Sequence, residues 1–254
     1  MTRNISFVNQ KGGVGKTTMC ANLADALALK GHKVVAVDMD PQGHLSQYLG
    51  CLDKSLPGVY EIIQGETSVS DVCVTLSDNL RLVPPGEKLM RLESVQMSPG
   101  RGLIMRKSLA KDAALQADFV LFDCPPSNGF LVINGIAASQ ELLVPVTPDF
   151  LGLSGLSEMT KQIKRYENVM GSFNHLWVVV SRFQHRAVSR EAEAKIRQYF
   201  NSKVTEQVIH ERAAIAESPG HGQSVIRYSN DSPSADEFMA LASEIERGNH
   251  SEQK

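Results

Sequence analysis

No apolar run in this chain approaches the ~20 residues that a helix needs to cross a bilayer, so a membrane span is not expected. Cysteine is scarce. The four present, Cys20, Cys51, Cys73 and Cys124, have neither CxxC spacing nor the density of a disulfide framework, which fits a reducing compartment and argues against structural zinc. The N-terminus carries no charged region followed by a hydrophobic segment and a cleavage site, so export is not expected and cytoplasm is the default. An excess of one charge is also lacking. With 26 basic and 28 acidic side chains the formal charge is −2, so any contact with a polyanion must come from a local patch. Internal repeats and low-complexity linkers are absent as well.

What remains is a chain of 254 residues with 42% apolar content, enough to bury the core of one large α/β domain. Short β-branched or aliphatic runs recur at 5–8, 34–38, 80–83, 119–123, 142–147 and 176–181, with longer amphipathic segments between them. That rhythm predicts a single doubly wound, mostly parallel sheet with helices on both faces. Punctuation places helices at 16–30 before Gly31, at 128–138 after Pro125-Pro126, and at 154–170 before Gly171. Pro57, Gly58, Pro84, Pro85, Gly86, Pro99, Gly100 and Gly102 break residues 50–117 into what should be small helices and loops. Residues 1–247 form the expected domain, and 248–254 a frayed polar tail.

Between the first strand and the first helix lies Asn9-Gln10-Lys11-Gly12-Gly13-Val14-Gly15-Lys16-Thr17-Thr18. Glycines there let the backbone curl with its N–H groups inward, and the helix N-terminus adds positive potential. Lys16 can reach the β and γ phosphates and Thr17 can hold Mg²⁺, so residues 11–18 read as a nucleotide cradle. A glycine-rich turn with an incidental lysine would not bring the strand, the glycines, Lys16 and Thr17 into register. The general P-loop pattern wants glycine five positions before Gly15, but Gln10 stands there, with the extra lysine Lys11 next to it.

Phosphoryl transfer also needs carboxylates at strand ends beside the loop. Two segments supply them: Asp38-Met39-Asp40-Pro41-Gln42-Gly43 and Asp123-Cys124-Pro125-Pro126-Ser127. Taken singly, each carboxylate could be a solvated turn residue. Together, KGGVGKTT, DMDPQG and DCPPS resemble the deviant Walker A, second nucleotide and Walker B motifs of the ParA/MinD (Soj-like) P-loop ATPases. Val144–Asp149 with 153–156, and Ile209–Tyr228 with Glu217-Ser218-Pro219-Gly220-His221-Gly222, extend the resemblance across nearly the whole chain, most weakly over 50–117.

The resemblance implies MgATP hydrolysis with Lys11, Lys16 and Asp40 as catalytic residues. It implies that Lys11 reaches a partner's nucleotide in an ATP-bound homodimer, and that Asp40 positions the attacking water. Mg²⁺ would be held by Thr17 and, through water, by Asp123, with Asp38 a further candidate. MinD-like members end in a basic amphipathic helix that inserts into membranes, whereas Arg247-Gly248-Asn249-His250 and the residues after it have no apolar face, so membrane binding is not expected. ParA-like members bind DNA without sequence preference. Residues 182–227 hold eight basic and five acidic side chains, a net of +3 that a dimer would double, or else an ordinary solvated surface. Arg186, Arg190 and Arg212 are the candidate DNA contacts, although Glu211 and Ala214 stand where relatives carry arginines.

A ParB-like or cargo-adaptor protein that stimulates hydrolysis is implied, as is association with the nucleoid. No helix-turn-helix precedes Met1-Thr2-Arg3-Asn4, so operator recognition is not expected. The cargo stays open between plasmid, chromosome and protein assemblies such as carboxysomes or chemoreceptor clusters. Two other classes stay open as well. One is a metabolic or redox enzyme on the same scaffold, dethiobiotin-synthase-like or nitrogenase-iron-protein-like, though Cys124 is already accounted for by the DCPP box. The other is an adaptor without turnover, against which Asp40 argues.

Overall fold

The computed structural model describes residues 2–93, 100–148 and 153–248. Pro99, Asp149 and the tail residues 249–254, which the sequence assigned to a chain break, a motif and a frayed end, lie outside the described residues. Among the described residues seven strands make one sheet: β1 (Arg3–Phe7), β2 (Val34–Asp38), β3 (Val74–Ser77), β4 (Leu80–Val83), β5 (Phe119–Asp123), β6 (Glu141–Val146) and β7 (His175–Val180). Their spatial order is β3-β4-β2-β5-β1-β6-β7, with every neighbouring pair parallel except β3 and β4. Ten α-helices accompany them among the described residues: α1 (Lys16–Leu29), α2 (His44–Tyr48), α3 (Val59–Gln64), α4 (Ile104–Lys111), α5 (Phe130–Ala137), α6 (Leu153–Met170), α7 (Ala187–Phe200), α8 (Ala213–Glu217), α9 (Val225–Tyr228) and α10 (Pro233–Arg247). Among the described residues no helix is long and apolar enough to cross a membrane.

The continuous apolar strands are buried on both faces because each feeds two cores. Phe119 and Leu121 of β5 join Ile5, Phe7, Met19, Leu23, Leu27, Trp177, Phe238 and Leu241 on the α1/α10 face. Val120 and Phe122, one residue out of step, join Val35, Val37, Phe130, Ile136 and Ile196 on the other. Alanines 21, 24, 26 and 28 keep α1 slim, so it is buried almost all round against the sheet and α10. The parallel strands demand that every crossover helix run back across the sheet. The C-terminal ends of β1, β2 and β5 therefore gather at one edge: Met39 N–H donates to Asp123 O over 3.0 Å and Cys124 N–H to Phe7 O over 3.3 Å.

The sequence-expected strands and helices are present, with ends displaced by at most two residues, at the start of β1, which begins at Arg3 rather than 5, and of α5, which begins at Phe130 rather than 128. β3 is an addition. It is short, partly exposed and antiparallel to β4 across Asp78-Asn79, so it has no apolar run to announce it.

Candidate functional site: a phosphate loop with three carboxylates

β1 delivers the chain to a loop that turns into α1 at Lys16. Gly13 (φ 73°) and Gly15 (φ 91°) occupy left-handed backbone that side-chain-bearing residues avoid. A Cβ on Gly12, Gly13 or Gly15 would meet nothing within 4 Å, so the space above the loop is open to a ligand. Val14 is buried, while Lys11, Gly12 and Gly13 are exposed on the rim. The Lys11 N–H donates to Asn9 Oδ1 over 2.9 Å, which fixes the entry to the turn.

Lys16 is 8% exposed. Burial lowers its pKa, and the charges of Asp123 and Asp40 oppose that shift. Thr17 Oγ1 donates to Asp123 Oδ2 over 2.7 Å. The other oxygen, Asp123 Oδ1, is buried without a hydrogen-bond partner among the described residues. Burial first, and then the charge of Asp38, drive the Asp123 carboxyl well above the usual carboxylate range, with the Thr17 bond pulling the other way. Asp38 is wholly buried, and its Oδ2 accepts from both N and Oγ of Ser46 over 2.8 Å. Its pKa is pushed up to about 7, chiefly by burial, against the Ser46 bonds. Asp40 is half-buried, with Oδ1 accepting from Gln42 N–H over 2.9 Å.

These residues fit a nucleotide with a divalent cation. A buried carboxylate oxygen with no donor, a hydroxyl beside it and two further acidic groups form a set whose missing partner is positive. The loop offers N–H groups and a helix N-terminus to phosphates. The loop, Thr17 and Asp40 line a cleft of roughly 990 Å³, through Gly12, Gly13, Gly15, Lys16 and Thr18 among others. Sequence reasoning therefore placed one wall of this cleft.

The opposite wall is made by Arg182, His210–Arg212, Ile215 and Pro219-Gly220; the sequence reading singled out Ile209–Tyr228 by resemblance and Arg212 as a DNA contact, but put neither at the nucleotide and did not single out Arg182. Ser181 Oγ donates to Val14 O over 2.8 Å, and Arg182 Nη1 to Gly13 O over 3.1 Å. The rule that ligands gather at the carboxyl ends of parallel strands, applied to β7, would have found both. His210 Nδ1 and Arg212 Nη1 lie 2.8 and 2.6 Å from Glu237 Oε1. Arg212 is thus half-buried and ion-paired within the cleft wall, whereas Arg186, at the N-cap of α7, and Arg190, one turn on, are exposed. Cys124 is 1% exposed, and its Sγ would meet a Cβ on Gly135 at 2.8 Å, which gives the thiol a packing role between β5 and α5.

A glycine loop joining strand to helix, a buried lysine, and a hydroxyl–carboxylate pair at the centre of a parallel sheet define a P-loop nucleoside triphosphatase. A family model described as an AAA domain matches residues 2–174. The chain is 34% identical over 252 residues to the chromosome-partitioning ATPase Soj of Treponema pallidum, covering 96% of this chain and 97% of that protein. Among solved structures, cobyrinic acid a,c-diamide synthase from Mycobacterium smegmatis with bound ADP and magnesium superposes with a TM-score of 0.82 at 27% identity, over 97% of this chain and 95% of that one. The septum site-determining protein MinD from Pyrococcus horikoshii, complexed with Mg-ADP, gives 0.77 at 25% identity over 97% of each chain. This chain belongs to the ParA/MinD family of deviant Walker A ATPases. It is an ATPase, and its cofactors are ATP and Mg²⁺.

Proposed function

We propose that this protein is a partition or positioning ATPase that dimerises on MgATP, binds DNA without sequence preference, and lets go when a partner stimulates hydrolysis. The observation that carries the reading is the exposure of Lys11, Gly12 and Gly13 on the rim of the nucleotide cleft. A lysine at the exposed first position of the cradle, next to Gly12, suits contact with a nucleotide held by a second copy. Within one copy, the loop N–H groups and Lys16 bind and orient the phosphates, while Asp40, at the exposed end of the carboxylate set, orients water for attack. Thr17 and, through water, Asp123, with Asp38 behind, would hold magnesium, which would supply positive charge to offset that on the transferring phosphoryl group.

Arg186 and Arg190 present accessible charge for phosphate contacts. Arg212 joins them only by exchanging its bond to Glu237. The protein would act in the cytoplasm on the nucleoid, and a ParB-like or cargo-adaptor protein would trigger release. Full-length similarity to a partitioning ATPase supports this reading over a metabolic enzyme, the class named by the cobyrinic acid synthase likeness.

Light scattering with ATP or ADP tests the dimer. Lys16→Ala should bind no nucleotide, and Asp40→Ala should stay dimeric in ATP while turnover collapses. A monomeric Asp40→Ala protein would overturn the assigned role. Filter retention of duplex DNA at low salt, in ATP but not ADP, tests the DNA step, and equal retention in both removes it.

A further inference from the structure

The end of β7 grips the outer side of the phosphate loop. Ser181 N–H closes the strand by donating to Val146 O over 2.9 Å, and its Oγ donates to Val14 O. The next residue, Arg182, has φ 52°, a left-handed conformation that few side-chain-bearing residues adopt and that persists only where the surroundings hold it. Three hydrogen bonds do so here. Nη1 donates to Gly13 O over 3.1 Å, and Nε and Nη2 donate to Glu211 Oε1 over 3.1 and 2.6 Å. The Gln184 amide donates to the other Glu211 oxygen. Bonds from Arg182 and Gln184 hold the Glu211 carboxyl below the usual carboxylate range. Backbone bonds from Phe183 N–H to Ile209 O over 3.0 Å and from Glu211 N–H to Phe183 O over 2.9 Å keep the two segments in register.

In a trans peptide the C=O and the N–H of the next residue point to opposite sides. Turning the carbonyls of Gly13 and Val14 toward β7 therefore turns the N–H groups of Val14 and Gly15 away from it, toward the phosphate space. We propose that Arg182 is a positioning residue of the ATPase, fixing the Gly13–Val14 peptide plane for phosphate binding and tying the loop, through Glu211, to the far wall of the cleft. Ser181 performs the same service for the Val14–Gly15 plane. The inference rests on the ATPase activity and the loop, and is independent of any action on DNA.

The test is equilibrium titration with a fluorescent ATP analogue, alongside steady-state turnover. Arg182→Ala should weaken nucleotide binding about 5–10-fold, the size expected for one charge-assisted hydrogen bond at a partly exposed site. The change should fall mainly on KM, and Arg182→Lys should recover part of it. Glu211→Gln should weaken binding about 3-fold in the wild-type background and not at all in Arg182→Ala, because its effect passes through the guanidinium. A folded Arg182→Ala protein with wild-type affinity would overturn the proposal, as would equal effects of Glu211→Gln in both backgrounds. Should Arg182→Ala not fold, Arg182→Lys and Glu211→Gln decide alone: weakened binding in both sustains it, wild-type binding in both ends it.

Discussion

Thr17 and Asp123 are 106 residues apart in sequence, yet the Thr17 hydroxyl donates to Asp123 Oδ2 over 2.7 Å at the foot of the phosphate loop. The contact exists because β5 is the parallel neighbour of β1, with Phe7 opposite Asp123, so the first turn of α1 lies over the end of β5. Thr17→Ala is expected to raise the magnesium concentration needed for half-maximal turnover by about 10–100-fold, the usual cost of losing a ligand or its support. A magnesium titration at saturating ATP checks this. An unchanged midpoint would leave the hydroxyl with a purely structural role.

Asp38 gives a stability that depends on pH. Its pKa rises from 3.8 unfolded to about 7 folded, chiefly through burial. The folded state therefore holds a proton that the unfolded chain releases, and the contribution is fully present below about pH 4 and lost as pH rises through 7. Asp38→Asn, which cannot ionise, should leave the nucleotide-free protein unchanged near pH 4. By pH 8 it should gain on the order of 2–4 kcal/mol. Urea melts at three pH values with chelator present check the sign, and a gain that shrinks toward pH 8 would contradict it.

The phosphate loop and both acidic strand ends were legible because each is a local string whose spacing is set by one turn of backbone. The six strands read from the sequence were legible because full burial demands unbroken apolar runs, as in β5, where alternate residues serve opposite cores, and the three helices because Gly31, Pro125-Pro126 and Gly171 mark their ends. That Ile209–Tyr228 and Arg182 form the far wall of the cleft was not legible. Arg182 pairs with Gly13 and Glu211, and Arg212 with Glu237, all from segments distant in sequence. Nothing local separates such residues from a solvated surface. The described part of residues 50–117 is built of short pieces, as its Pro and Gly signals indicate, but how those pieces join was not legible because the signals are far apart in sequence. In the fold Gly58 and Pro84-Pro85 form one joint: Val59 N–H donates to Pro84 O over 2.9 Å and Tyr60 N–H to Pro85 O over 3.0 Å.

That joint yields a packing prediction. A Cβ on Gly58 would stand 1.8 Å from Pro84 O and 2.9 Å from Gly86 N, both backbone atoms that cannot swing aside. Gly58→Ala should therefore force the start of α3 away from the segment after β4 and destabilise the protein by about 2–4 kcal/mol. Gly12→Ala, with nothing within 4 Å, should cost less than about 1 kcal/mol while weakening nucleotide binding. Denaturant melts of the two variants separate a backbone clash from an open cradle. Equal stabilities would mean that the joint opens freely.

Asp25 and Arg227 clamp α1 to the C-terminal part of the chain. Asp25 is 1% exposed and accepts from Arg227 Nη2 and Nε over 2.6 to 2.9 Å, with Ser224 Oγ donating as well. Arg227→Met would leave a buried carboxylate held by serine alone. The 42% exposure of the arginine side chain lets water reach the gap, so the cost should be about 2–3 kcal/mol, below that of a sealed pair. Asp25→Asn in the same chain should recover about half of it, since the stranded charge is then gone. Lys16 and Thr17 sit at the start of α1 and Asp25 more than two turns further along, so the clamp and the cradle share a helix without touching. Saturating MgADP should thus add the same stability to both variants as to wild type, since ligand linkage depends only on affinity for the native state. Urea melts with and without MgADP measure this, and a smaller increment in Arg227→Met would show that the clamp sets the pose of the loop.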